Sequence, residues 1–363
     1  IIFPNENIKI KLLTYSWYNP WICRNNLLFN IYCLMSFFKK NLPSKIFVFG
    51  IILGSFLSVT FLNYYINVEI LRSEPSQGKF ISYSFTHDNL DRTYDVFVPD
   101  SLKKNTSVIF VFHGSYGTSE GMREATGFDF EYLAQEKGFL VVYPQGYKNF
   151  WNDCRASADY EANLLDIDDI GYYRTVINLI EKDFGINKNH IISTGISNGG
   201  HMVYKLAYEI PNSTYLYAPL VANLPIKKNN DCNISQVEVN MAIFNGTNDQ
   251  INPYNGGLVS LLGNDSRGKV LSSEESYKYW RDLSSYERES FKILPERDKN
   301  LNSSVTKKNV FGSRIVALYT LVNGGHIYAS PNVKYSPFFG GNVNDINTAE
   351  EIYKIFESLK SKN

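Results

Sequence analysis

Ser197, Asp249 and His326 are the residues of this chain whose types, order and settings suit nucleophilic chemistry. A serine hydroxyl attacks poorly until a neighbouring base takes its proton, and that base needs a third group to fix its tautomer. Ser197 stands in Gly195-Ile196-Ser197-Asn198-Gly199, after an apolar run and before a helical one. A tight strand-to-helix turn holds such a serine exposed, and glycines at 195 and 199 let the flanking chains pass closely. Asp249 lies in Gly246-Thr247-Asn248-Asp249 and His326 in Asn323-Gly324-Gly325-His326, each just past a predicted strand. Carboxyl ends of strands are where open α/β sheets gather their sites. Charge developing on a substrate oxygen needs two backbone N–H donors. Asn198 is one expected donor. Ser115, in His113-Gly114-Ser115-Tyr116-Gly117, is the second, with Tyr116 as its alternate and as a substrate contact.

Other candidates read as structural. The chain has five histidines. His87 and His190 fall near strand ends, His113 reads as a brace for the 113–117 loop, and His201 as packing or bracing on the helix after Ser197. Asp168 and Asp169 precede the serine and read as helix capping. No His–Cys spacing of the zinc type occurs, so no metal site is expected. The serine chemistry requires no cofactor.

The elements that must position these residues form one α/β alternation. Strands are predicted at 80–87 and 93–98, as a hairpin turning at 88–91, and at 107–112, 139–143, 190–194, 239–245 and 314–321. Helices are predicted at 128–137, 169–184, 199–209, 273–283 and 348–359. Such alternation implies a mostly parallel central sheet with helices on both faces. Residues 255–312 read as a polar insertion with one helix and little strand character, of a length usual for lids and binding loops.

Hydrophobic residues make up 44% of the 363, enough for a large core, and 36 basic residues balance 36 acidic ones. With no basic stripe, nucleic acid is not an expected partner. Residues 46–66 form 21 positions without a charge, preceded by Lys39, Lys40 and Lys45 and followed by Glu69 and Glu74. This pattern implies a transmembrane signal anchor, a cleaved signal peptide being the alternative, with the following body outside the cytoplasm. Met35 is the expected start, residues 1–34 being an upstream extension. The domain reading is a leader at 1–45, the apolar segment at 46–66, a linker at 67–79 and a catalytic body at 80–363. Cys154 and Cys232 either pair in an oxidising compartment or stay as buried thiols.

A larger set of motifs recurs in order. Tyr143-Pro144-Gln145-Gly146 is followed by Trp151-Asn152, Asp168-Asp169-Ile170-Gly171, and Gly195-Ile196-Ser197-Asn198-Gly199-Gly200-His201-Met202. Then come Gly246-Thr247-Asn248-Asp249 with Pro253-Tyr254-Asn255-Gly256-Gly257, and Gly324-Gly325-His326. Over about residues 80–360 the chain resembles the polyhydroxybutyrate depolymerase and feruloyl esterase family of secreted α/β-hydrolases. The resemblance implies the α/β-hydrolase fold, ester hydrolysis through an acyl-enzyme, Ser197, Asp249 and His326 as the triad, and Trp151 near the substrate groove. Asn245 stands where that family usually has histidine, Ile327-Tyr328-Ala329 replaces a Trp-Pro-Gly-like segment, and Trp280 lacks the cysteine often seen after it. These departures touch the groove, so aliphatic polyesters, hydroxycinnamoyl esters and acetylated sugars all stay open as substrates. The expected protein is a serine esterase acting on a small or polymeric ester. A serine peptidase of the same fold and a catalytically silent surface binding protein are the alternatives.

Overall fold

Val108-Ile109-Phe110-Val111-Phe112 is apolar at every position because both faces of its strand are covered, as in the centre of a parallel sheet. The computed structural model describes Gly54 and residues 67–299 and 301–361. In chain order the main elements are β1 (Lys79–His87), β2 (Leu90–Val98), β3 (Val108–Phe112), α1 (Ser119–Ala125), α2 (Asp129–Lys137) and β4 (Leu140–Pro144). There follow α3 (Glu161–Leu164), α4 (Asp169–Phe184), β5 (Ile191–Ile196), α5 (Asn198–Glu209), β6 (Leu216–Leu220) and β7 (Met241–Gly246). The last are α6 (Ser273–Leu283), β8 (Tyr286–Ile293), β9 (Ser304–Gly312), β10 (Ile315–Val322) and α7 (Thr348–Lys360).

The strands form one 10-stranded sheet in the order β8-β9-β10-β7-β6-β5-β3-β4-β2-β1. From β10 to β4 every pairing is parallel, and antiparallel hairpins close both edges. This is the mostly parallel sheet covered on both faces that the sequence implied. Ile109 and Val111 face a core shared with Met122, Phe130 and Phe356 of α1, α2 and α7. Val108, Phe110 and Phe112 face the opposite core, with Tyr173, Val203 and Trp280 of α4, α5 and α6. Local chemistry sets the helix ends. Asp168 accepts from the Gly171 N–H to start α4, and Gly185 ends it in the left-handed region (φ 63°). A Ser272–Glu275 capping box starts α6.

Two elements depart from the sequence reading. β6 is absent from the sequence reading; it contains Pro219, which cannot donate to a ladder and is unusual in a central strand. Here the β6–β7 register skips 218 and 219, with Tyr217 N–H donating to Asn240 O (3.0 Å) and Val221 N–H to Phe244 O (2.8 Å) on either side. The 255–312 segment is not simply an insertion of little strand character. Its second half is β8 and β9, which add an antiparallel hairpin to the sheet edge. β8 reads as loop because it is an outer strand, exposed at nearly every position, and so lacks an apolar alternation.

The leader and the apolar 46–66 segment lie outside the described residues apart from Gly54. Among the described residues no helix is long and apolar enough to cross a membrane. The expected linker is fastened to the body. Val68–Ile70 pairs with Val333–Tyr335, and Arg72 donates to Asp129 (2.6 Å) and to Gly127 O (2.6 Å). Cys154 and Cys232 are joined by a disulfide across 78 residues. Closing a loop of that length in the unfolded chain is worth about 4–5 kcal/mol on the chain-entropy account.

Candidate active site

Ser197 links β5 to α5 at φ 57° and ψ −117°, a region costing a non-glycine residue about 1–3 kcal/mol. Its surroundings enforce that conformation. The Ser197 N–H donates to Leu220 O (2.9 Å), and the Ser197 carbonyl accepts from His201 N–H (2.9 Å). A β-carbon at Gly199 would stand 2.4 Å from Phe112 O and 2.6 Å from His113 O, so α5 begins hard against the end of β3. Gly114 also borders the serine, since a β-carbon there would lie 3.5 Å from Ser197 Cβ. The Ser197 turn and the 113–117 loop are thus neighbours.

Asp249 and His326 meet at the same rim. Thr247 N–H donates to Leu321 O (3.0 Å) and Asn248 N–H to Gly324 O (2.8 Å), stitching the loop after β7 to the loop after β10. Two backbone donors, Ile251 N–H and Asn252 N–H, each hold Asp249 Oδ1 at 2.8 Å. Asp249 Oδ2 lies 2.7 Å from His326 Nδ1, and the two side chains are 1% and 6% exposed. A carboxylate only accepts, so Nδ1 carries the proton and Nε2 presents its lone pair. The His326 backbone is fixed by its N–H donating to Phe339 O (2.6 Å). All three residues follow the carboxyl ends of strands β5, β7 and β10, which run parallel in one continuous stretch of sheet.

The 113–117 loop offers one of its two candidate donors. Tyr116 N–H bonds Asn149 O (3.0 Å), which removes it as the alternate donor. The Ser115 and Asn198 amides have no protein acceptor among the described residues. The Tyr116 ring is 54% exposed and meets Phe150 edge-on at 4.7 Å. Trp151, expected beside the substrate groove, is instead fully buried. It packs edge-on to Phe112 at 5.0 Å and donates from Nε1 to His113 O (2.9 Å). Its ring braces the 113–117 loop from behind and presents no surface to a substrate.

The other histidines, read from the sequence as bracing or packing residues, are placed as follows. His113 accepts at Nε2 from Gly146 N–H (2.9 Å), so Nδ1–H donates to Gly114 O (2.8 Å). Burial pushes its pKa down to about 4, and Arg92 adds to the effect against the Gly114 bond. The imidazole is therefore a neutral clamp between two loops. Burial likewise drives His201 well below its ordinary value, with Arg155 adding to the shift. His87 lies 3.1 Å from Asp168, and His190 packs against Tyr215 and Phe356. Asp169 is held by Arg92 (2.6 Å) and by Asn152 N–H (2.8 Å).

A buried polar network behind the Ser197 turn went unread in the sequence. The Asn198 side chain accepts from Trp151 N–H (2.8 Å) and donates to Asp153 Oδ2 (2.7 Å) and Tyr160 OH (3.1 Å). Asp153 also receives Arg155 through Nε (3.0 Å) and Nη2 (2.6 Å), and the Tyr160 hydroxyl. Burial alone would raise the Asp153 carboxyl, but Arg155 outweighs it and holds it far below the usual carboxylate range. The available signal was the Asp-Cys-Arg triplet at 153–155, with opposite charges flanking a cysteine. Asn245, where the resembled family has histidine, joins Ala222, Asn223 and Ser273 through its amide and so ties the loop after β6 to α6.

No protein-family model matches the chain. Among curated proteins, it is 25% identical over 167 residues to a bifunctional acetylxylan esterase/xylanase of Neocallimastix patriciarum, covering 45% of this chain and 22% of that one. It is 23% identical over 264 residues to a protein named as an esterase from Nocardia uniformis subsp. tsuyamanensis, covering 69% of this chain and 74% of that one. To acetylxylan esterase A of Aspergillus oryzae it is 26% identical over 121 residues, covering 32% of this chain and 37% of that one. The match therefore spans under half the length of the first and third of these relatives. Among solved structures, an acetyl xylan esterase from Aspergillus awamori superposes with a TM-score of 0.46 at 15% identity, covering 68% of this chain and 94% of that one. The relatives are esterases, in keeping with the family resemblance read from the motifs.

Proposed function

We propose that this protein is a serine carboxylic-ester hydrolase with Ser197 as nucleophile, His326 as general base and Asp249 as the group that orients the imidazole. The observation that carries the reading is the buried 2.7 Å Asp249–His326 bond at the rim where the strained Ser197 turn ends β5. His326 Nε2 takes the hydroxyl proton as Ser197 Oγ attacks the ester carbonyl, then returns it to the leaving alkoxide. The amides of Asn198 and Ser115 hold the oxyanion, and water repeats the cycle to release the acid. Tyr116 contributes the exposed ring of the acyl or alcohol site. The named activities of the relatives favour acetylated sugars as substrates. The disulfide supports a body that works outside the cytoplasm.

Turnover of 4-nitrophenyl acetate, methyl ferulate, acetylated xylan and a polyhydroxybutyrate film by the full chain and by Ser197→Ala tests the proposal. Wild-type hydrolysis of at least one ester, lost by several orders of magnitude in a folded Ser197→Ala protein, is the expected result. Equal activity of the two proteins would remove Ser197 from the mechanism.

A further inference from the structure

Three buried polar side chains have no part in the reaction above and carry buried atoms with no protein partner among the described residues. Arg267 is 3% exposed, yet its Nη1 meets no acceptor and the ion pairs of the described residues leave it out. His201, 2% exposed, has no partner at Nδ1. Asn252, also 2% exposed, has none at either side-chain amide atom.

Their segments border those of Ser197 and Asp249. His201 lies one helical turn after Ser197, on the buried side of α5. Asn252 gives its backbone N–H to Asp249. Arg267 belongs to a loop folded back over that same turn, where Ser260 N–H donates to Ile251 O (3.1 Å) and Val259 N–H to Gly268 O (3.0 Å). Arg267 adds to the lowering of the His201 pKa, after the larger effects of burial and Arg155.

A buried guanidinium without a counter-charge is costly, and the two buried acids around Ser197 and His326 are engaged. Asp153 is taken by Arg155, Tyr160 and Asn198, and Asp249 by His326 and two backbone amides. The planar fork of arginine fits a carboxylate, while the His201 and Asn252 side chains can add neutral donors. We propose that Arg267, His201 and Asn252 form a carboxylate-binding subsite beside the ester centre, and that the preferred substrate is an ester carrying a free carboxylate. The substrate half of this statement rests on the esterase reading; the anion site does not.

The test has two arms. In the first, kcat/KM is measured for the monoethyl esters of succinate, glutarate and adipate against ethyl butyrate, valerate and hexanoate. Wild type is expected to favour at least one acidic ester over its uncharged match by roughly tenfold or more, a charged hydrogen bond being worth that much. Arg267→Met should lose most of that ratio and Arg267→Lys should recover part of it. In the second arm, glutarate should raise the Tm of wild type and leave that of Arg267→Met unmoved, while Arg267→Met alone melts above wild type. If Arg267→Met does not fold, Arg267→Gln carries the same comparisons. An unchanged ratio in the variant, or equal Tm shifts with glutarate in both proteins, overturns the proposal. So does sulfate at matched ionic strength reproducing the glutarate shift in both. Should no ester be cleaved while glutarate still shifts only wild type, the esterase reading falls and the anion site stands.

Discussion

Asp249→Asn isolates what the carboxylate does for His326, because the geometry dictates how the amide must sit. In the native site Oδ1 receives two backbone N–H groups and Oδ2 receives His326 Nδ1–H. An asparagine keeps its oxygen toward Ile251 and Asn252, since the reverse orientation would set an NH2 against two donors. Its NH2 then faces Nδ1, which must give up its proton and accept. The ring proton moves to Nε2, where it donates toward the serine and cannot serve as base. Loss of the correct tautomer at such a triad costs about 10⁴ in kcat, or about 5.4 kcal/mol of barrier. The backbone bonds survive, so the melting temperature should stay near wild type. The assay pairs 4-nitrophenyl acetate turnover with fluorophosphonate labelling of Ser197 and a thermal melt. A folded Asp249→Asn protein retaining kcat within tenfold of wild type would refute the tautomer argument.

Acid should loosen the fold in a defined window. His113 holds a pKa of about 4 when folded, below its ordinary 6.5, so between these values the unfolded chain binds a proton that the native chain excludes. Its contribution is fully present above pH 6.5 and is lost as pH falls toward 4, by about 3 kcal/mol. His201 is shifted in the same direction. Urea midpoints at pH 7.5, 5.5 and 4.5 should fall in that order, and a flat profile would contradict neutral, buried imidazoles. Gly199→Ala should lower both turnover and Tm, because a contact of 2.4 Å forces α5 away from Phe112 O, with overpacking typically costing about 1–3 kcal/mol. Wild-type turnover in that variant would mean that the Ser197 turn does not depend on close passage.

What the sequence reveals follows from what it encodes locally. Central strands such as Val108–Phe112 and the capped helix Asp169–Phe184 carry their own signals, and the sequence places both to within a residue. Ser197, Asp249 and His326 stand out because each follows a strand and each sits beside glycines that tight turns require. β6 is missing from that reading; it contains Pro219, unusual in a central strand, and its ladder to β7 is interrupted there. Trp151 misleads for a different reason. Its type suits a groove wall as well as a core, and only the His113 and Asn198 bonds decide between them. Arg267 lies far from Ser197 along the chain, in a loop with no periodicity, so nothing local hints that its guanidinium is buried.

The network behind Ser197 is better understood as a positional device than as a source of stability. A buried pair such as Asp153–Arg155 gains little over an apolar replacement, because desolvation offsets most of the attraction. Here, however, Asp153 also holds the Asn198 amide, and Asn198 is the residue whose backbone N–H is proposed to point at the oxyanion. The disulfide at Cys154 fastens the same segment to Cys232, and Trp151 carries the constraint across to His113 and so to the loop bearing Ser115. Both proposed oxyanion donors are therefore referenced to one rigid stretch, residues 151–155, and their separation is fixed before a substrate arrives. A strained serine turn needs such surroundings, since a residue at φ 57° relaxes wherever its neighbours permit. An apolar replacement of the ion pair can preserve the melting temperature while releasing the angle between the two donors, so stability and turnover are set here by different atoms.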